Sequence, residues 1–356
     1  MISHCRILVK GRQGVVRLGC GDLIIIKKTY DMLTIKQIYD LAIRLGTQND
    51  LRGVAAVQKK LKYVREQYDR LPADDKKEFD QERLTNPYSD TRMFAANPNK
   101  PVKRILVGID IGTEELLLAK ELSKQKPIDL VLSHHPLGPA LAGLHEVMDL
   151  QAEIFAGYGV PITVAERLMT MRLEEVSRLI AGSNHGRPLD AARLLGLDVM
   201  CTHTATDNIV ANYLHGLIKK QGKKLERVSD VMKMIKSIPE YQVAIKQKSG
   251  PMLFAGSLDR YAGKIALSEV TGGTSGSKEM YEKLSQAGIG TIIGMHMHEE
   301  YKKEAEKQHI NVLIAGHMSS DSLGMNFFLD EIEKKGVEVI PCSGLIRIRR
   351  FKTRKK

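Results

Sequence analysis

Four short apolar runs in this chain each end in histidine. Leu130-Val131-Leu132-Ser133 runs into His134-His135-Pro136, and Leu197 to Thr202 into His203. Thr291 to Met295 runs into His296 and His298, and Asn311 to Gly316 into His317. Six of the eleven histidines therefore lie just past a strand-like run, where α/β sheets gather their ligands. Two of them have a carboxylate four residues on, giving His203-x-x-x-Asp207 and His317-x-x-x-Asp321. That spacing is about one helical turn, so each histidine and its carboxylate face the same way. Imidazole with carboxylate suits Zn, Fe, Mn, Co or Ni, whereas Mg and Ca prefer oxygen alone. His134, His135, His203, Asp207, His317 and Asp321 form a candidate set too large for one tetrahedral zinc. It matches a pair of ions bridged by carboxylate. A single histidine near a strand end is more often a satisfied polar residue. The recurrence is what points to metal.

His296 and His298 have no H-x-x-x-D partner, because Glu299 and Glu300 open a charged helix instead. They are expected to face substrate or solvent. Gly272-Gly273-Thr274-Ser275-Gly276-Ser277 lies between a strand and a helix, where free N–H groups could meet an anion. It is neither a Walker loop nor a G-x-G-x-x-G fingerprint, and a turn followed by a helix cap is the favoured explanation. Nucleophilic catalysis has no support, since no G-x-S-x-G elbow occurs and Cys201 reads as buried strand.

The elements that must carry these residues alternate. Arg104 to Asp110 is a strand, followed by a helix at Glu114–Lys124, the Leu130 strand and a helix around His145 to Tyr158. Pro161 to Val164 reads as a further strand, and 172–196 as helix broken at 182–186. A helix follows His203, from about Ile209 to Lys220, and another is expected over Met325–Lys335 before a strand at Val337–Pro341. Alternation of this kind implies an α/β fold with mixed or parallel sheets. Thr34 is a plausible N-cap for helical sequence at 34–84, whose use is packing or oligomerisation. The division expected is a basic leader at 1–31, a helical segment at 32–85, a first α/β lobe at 86–220, a connection at 221–261, a second α/β lobe at 262–346 and a basic tail at 347–356.

The net charge of +12 is confined to the ends. Seven cations in 347–356 and a surplus of five in residues 1–28 account for all of it. A basic tail can hold nucleic acid through phosphates, but no aromatic platform is interleaved with it, so a solvated end is expected and nucleic acid is not. No apolar run approaches the ~20 residues of a membrane span. The four cysteines lack CxxC spacing, which fits a reducing, cytoplasmic setting.

Ser133-His134-His135-Pro136, His203-x-x-x-Asp207, Gly272-Gly273-x-x-Gly276 and Gly316-His317-x-x-x-Asp321, in that order, resemble the Nif-three-like family, the group of GTP cyclohydrolase I type 2 homologues. The resemblance runs from about Asn86 to Leu345. It implies two facing α/β lobes with a dinuclear metal site between them, and homo-oligomers, often hexamers. It also implies ligand roles for His134, His135, Asp207, His317 and Asp321, with His203 close by or ligating. Where this chain has Asp321 the family usually has glutamate, and the helices at 34–84 replace a shorter opening. The activity implied is metal-dependent hydrolysis, the cofactors being two divalent ions such as Zn, Fe or Mn. The substrate expected is an unidentified phosphorylated, nucleotide or cyclic-amide molecule. Non-catalytic metal handling is the alternative, because both need the same ligands.

Overall fold

The computed structural model describes residues 32–351 and, within 1–31, the backbone of three short strands. These are β1 (Leu8–Lys10), β2 (Gln13–Arg17) and β3 (Leu23–Lys27), which pair antiparallel with one another. The leader's side chains and residues 352–356 lie outside the described residues.

Two sheets carry the rest. The first has the order β12-β5-β6-β7-β4, with β4 (Thr91–Phe94), β5 (Arg104–Gly108), β6 (Leu130–Ser133), β7 (Val199–Thr202) and β12 (Glu338–Pro341). All its neighbours are parallel except β4 on β7. The second is β8-β11-β10-β9, formed by β8 (Met252–Ala255), β9 (Lys264–Leu267), β10 (Ile289–Gly294) and β11 (Asn311–Ile314), antiparallel only at the β8 edge. The buried strands are near-continuous Val, Ile and Leu because both faces are covered by helices. Sheet membership departs from the sequence division at two places. β8 comes from within the 221–261 stretch, and β12 returns from the end of the chain to the first sheet.

Two helices lie between the sheets. Thr204–Gln221 follows β7, and His317–Lys334 follows β11 and leads back to β12. Ile209, Met325, Phe328 and Leu329 pack with the first sheet's Ile105, Val107 and Leu132. Val210, Leu214 and Leu323 pack with Leu267, Ile293 and Leu313 of the second. The contact between the two helices is close: a Cβ on Gly324 would lie 2.4 Å from the Thr206 carbonyl oxygen.

The N-terminal helix Ile35–Asn49 starts at Thr34, whose hydroxyl accepts from the Gln37 N–H while the Gln37 side chain accepts from the Thr34 N–H. The helix packs on Thr204–Gln221, where a Cβ on Gly46 would meet the Ala205 backbone at 2.8 Å. Past its end, buried Asp50 accepts from the Tyr88 hydroxyl and from Asn208, and Thr271 donates to Asn208. The helical segment is thus tied to the residue beside Asp207 and to the glycine-rich loop.

Three expectations are corrected. Pro161–Val164 is no strand: Pro161 precedes the helix Ile162–Ala181, which buries Ala165, Met169 and Val176. Proline favours a helix start, since a missing N–H costs nothing there. The helix expected from Met325 begins at His317, so His317 and Asp321 stand on the helix itself. The tail is also not simply solvated. Arg347, only 4% exposed, pairs with buried Asp330 and Glu333, and Arg350 reaches fully buried Glu240. Removing Arg347 takes the guanidinium from buried Asp330, while Glu333 keeps Arg349, and breaking a buried pair typically costs ~3–5 kcal/mol. Arg347→Ala should therefore lower the midpoint of urea unfolding at unchanged slope, and an unshifted midpoint would show the tail to be dispensable. No helix among the described residues is long and apolar enough to cross a membrane.

Candidate metal centre

Register sets the site. Ser133 sits beside Gly108 on β5 and Cys201 on β7, so the residues leaving β6 and β7 emerge at one edge. The backbone N–H groups of His134 and His135 still pair with the carbonyls of Gly108 and Ile109. Gly294 and Ile314 are likewise paired, so His296 and His317 leave the second sheet together. The edges converge, and ring centroids of His134 and His135, His134 and His203, and His135 and His317 lie 5.1, 5.1 and 5.2 Å apart.

Two buried carboxylates stand among these rings. Asp207 presents Oδ1 to His134 Nε2 at 3.4 Å and Oδ2 to His203 Nε2 at 3.8 Å. Asp321 presents Oδ1 to His134 Nε2 at 3.6 Å, and Oδ2 to the Nε2 atoms of His135 and His317 at 3.5 and 3.6 Å. His134 Nε2, Asp207 Oδ1 and both Asp321 oxygens have no hydrogen-bond partner although they are buried. Orphaned polar atoms at this depth are costly unless something is bound to them.

The far sides of the rings explain why the orphans are acceptors. His203 Nδ1 lies 2.8 Å from buried Asp90, and His135 Nδ1 lies 2.7 Å from Asp110. His134 Nδ1 lies 3.1 Å from the Thr206 hydroxyl, whose own proton goes to the Thr202 carbonyl. Each Nδ1 therefore donates, which leaves the Nε2 lone pairs aimed at carboxylates. N···O separations of 3.4–3.8 Å are too long for good hydrogen bonds. They suit two donors sharing a cation at about 2.0–2.2 Å from each. The clusters His134–His135–His203, His135–His317–Asp321 and His134–Asp207–Asp321 each bring their donor atoms within 4.8 Å. These buried histidine and aspartate groups could hold metal ions, and the donor set fits.

The electrostatics agree. Burial drives the His134 pKa well down, with Asp321 opposing. Burial also disfavours charge on His135, but its bonds to Asp110 and Asp321 outweigh it and carry the ring up to about 10. Against the cost of its own burial, Asp321 is held down to about 2 by His134, His135 and His317. Burial raises Asp207 well above its usual range. Without an ion, protons supply the positive charge this cluster demands, and ion binding releases them.

All six sequence candidates are brought together. His296 is near, its ring 4.7 Å from that of His317, but it belongs to none of the donor clusters. His298 stands at the start of the helix Glu299–Lys307, and His145, His185, His215 and His309 lie outside these clusters. Sequence reading missed Asp90, Thr206, Asp110 and Glu269. Asp110 repeats the strand-end pattern and was legible; Asp90 lies in a turn before an edge strand with no periodic signal.

The glycine-rich loop has a different use from anion binding. Gln151 donates to the carbonyls of Gly272 and Thr274, both at 2.7 Å. Gly272 and Gly273 have φ of 88° and 87°, and a Cβ on either would strike the segment Leu144–Gln151. The next helix begins only at Met280. The loop is a clamped roof, its glycines set by backbone conformation and close packing.

No model of a known protein family matches the sequence, and no curated protein matches it. Among solved structures, a NIF3 superfamily protein from Sphaerobacter thermophilus is 24% identical with a TM-score of 0.71, over 88% of this chain and 100% of that one. Reduced HcgD from Methanocaldococcus jannaschii is 13% identical with a TM-score of 0.38, over 70% and 87% of the two chains. A Bacillus cereus protein related to NIF3 is 10% identical with a TM-score of 0.39, over 74% and 93%. The likeness to the Sphaerobacter protein, spanning that chain from end to end, shows that this chain shares that protein's fold.

Proposed function

We propose that this protein belongs with the Nif-three-like proteins in function as in fold, and is a hydrolase dependent on two divalent transition-metal ions, Zn, Fe or Mn. The observation that carries the reading is Asp321, a buried carboxylate with one oxygen toward His134 and the other toward His135 and His317. One position would be held by His134, His203, Asp207 and Asp321, the other by His135, His317 and Asp321. Such ions supply Lewis acidity and a water activated near neutral pH. The chain's own groups do the rest. Asp90, Thr206 and Asp110 orient the rings, and Asp207 and Asp321 offset the charge.

His317 and His296 remain 38% and 33% exposed, so a small phosphorylated, nucleotide or cyclic-amide substrate can approach from that side. Assembly as a homo-oligomer, a hexamer in the resemblance, belongs to the same proposal. One observation favours metal handling without turnover: the cavity between the ligands and the loop measures only about 20 Å³, room for roughly one water.

The deciding experiment reconstitutes the protein with each metal and screens phosphoesters, nucleotides including GTP, and cyclic amides beside Asp207→Ala. Hydrolysis that disappears with the ions is the expected result. Activity persisting in a metal-free variant would refute metal dependence, and an inactive loaded wild type would favour metal handling.

A further inference from the structure

Glu269 follows β9 and lines the small cavity that the candidate metal-binding residues also line. Its side chain is 3% exposed. The Tyr281 hydroxyl donates to Oε1 at 2.8 Å and the Ser275 hydroxyl to Oε2 at 3.1 Å. Among the described residues no lysine or arginine pairs with it, and its nearest basic group is His296, Nδ1 to Oε2 at 3.8 Å. Its backbone is also strained, with φ of 60° at a residue that is not glycine. Two costs thus fall on one residue. A glutamine would accept from one hydroxyl through its oxygen and donate to the other through its amide nitrogen without burying a carboxylate, and glycine or asparagine would take the backbone conformation at less strain.

What the carboxylate adds is chemistry at the cavity. That space, sized for about one water, is lined by Glu269 and His296 together with His203, Asp207, His317 and Asp321. We propose that Glu269 is the proton acceptor of the site, facing the attacking water in the cavity it shares with the metal-binding residues. The inference rests on the hydrolase reading above. In the step, the water oxygen bonds to the phosphorus or ring carbon while its proton passes to the Glu269 carboxylate. The bond from that centre to the departing oxygen or nitrogen then breaks, and the departing atom takes the proton from Glu269. Nothing is oxidised or reduced.

The environment suits that exchange. Burial raises the carboxyl to about 7, against the Tyr281 and Ser275 hydroxyls and Arg172, which favour the ionised form. A base near the working pH transfers protons best. The other titratable groups facing it are His296, leaving β10, and Tyr301, of the helix Glu299–Lys307. His203, Asp207, His317 and Asp321 line the same cavity.

The test uses full-length protein loaded with Mn or Zn, assayed on p-nitrophenyl phosphate, bis(p-nitrophenyl) phosphate and the nucleotides and cyclic amides above, from about pH 5 to about pH 9. Glu269→Gln should lose ~10²–10⁴-fold in kcat, with KM and bound metal close to wild type. Tyr281→Phe should keep activity but move the acidic limb of the kcat profile to higher pH, because a donor favouring the carboxylate is gone. If melting curves show Glu269→Gln to be unfolded, the limb shifts of Tyr281→Phe and Ser275→Ala decide, and unmoved limbs overturn the assignment. Wild-type kcat in a folded Glu269→Gln overturns this proposal alone. Loss of its ions together with activity overturns it as well, by making Glu269 a support of the metal centre. A loaded wild type that turns over none of the probes overturns the hydrolase reading, and this proposal with it.

Discussion

Asp321→Asn should leave purification with less than about a tenth of the wild type's bound transition metal, since outer partners alone are worth 10–100-fold in affinity. Asparagine keeps the shape of aspartate but removes the charge and turns one oxygen into an N–H donor. Because Asp321 faces His134 through one oxygen and His135 and His317 through the other, both positions suffer together. Asp207 faces only His134 and His203, so Asp207→Asn should lose roughly one of about two ions. Elemental analysis after reconstitution and dialysis separates the cases. Full occupancy in Asp321→Asn would end the bridging assignment.

The second large effect is expected from an uncharged position, where the two central helices touch. Gly324→Ala places a methyl 2.4 Å from the Thr206 carbonyl oxygen and 2.8 Å from a Val210 methyl. Backbone cannot give way as a flexible side chain does, so the two central helices must separate. Overpacking of this kind costs about 1–3 kcal/mol or more, and the melting temperature should fall by several degrees. Metal affinity should fall too, because the Asp207 and Asp321 carboxylates ride on these helices. Gly216 is the control. It lies on the Thr204–Gln221 helix with nothing within 4 Å of its Cβ position, so Gly216→Ala should raise stability by about 0.5–1 kcal/mol through helix propensity. Equal melting temperatures for the two variants would show that the helices do not depend on this contact.

The centre was legible in sequence because histidines at strand ends and H-x-x-x-D pairs combine two periodicities with chemically distinctive residues. His134, His135, His203, Asp207, His317 and Asp321, from three of the four strand ends, all meet, while His296 and His298 from the fourth stand outside the clusters. What supports them was less visible. Asp90 reaches His203 from 113 positions away, and a lone aspartate after Ser89 carries no pattern. Thr91–Phe94 is an edge strand too short and too polar to announce itself. Pro161–Val164 has strand-like composition, yet proline at a helix start outweighs β-branching when an amphipathic stretch follows. Arg347 and Arg350 looked like solvated charge because Asp330 and Glu240, which receive them, lie 17 and 110 residues away.

The return of the chain to β5 has a consequence for how the protein comes into being. β12 pairs in parallel with β5, Glu338 beside Arg104 and Pro341 beside Val107, across more than 200 residues of intervening chain. The helix that ends in this closure also carries His317 and Asp321. During synthesis, His134, His135, His203 and Asp207 emerge long before His317 and Asp321, and a nascent chain holds only part of the candidate site. Loop closure over such a separation is slow, and ion binding favours only the completed form. A bound ion would therefore favour the finished chain: one truncated before its final helix lacks His317 and Asp321, and the complete site would be stabilised by the ion.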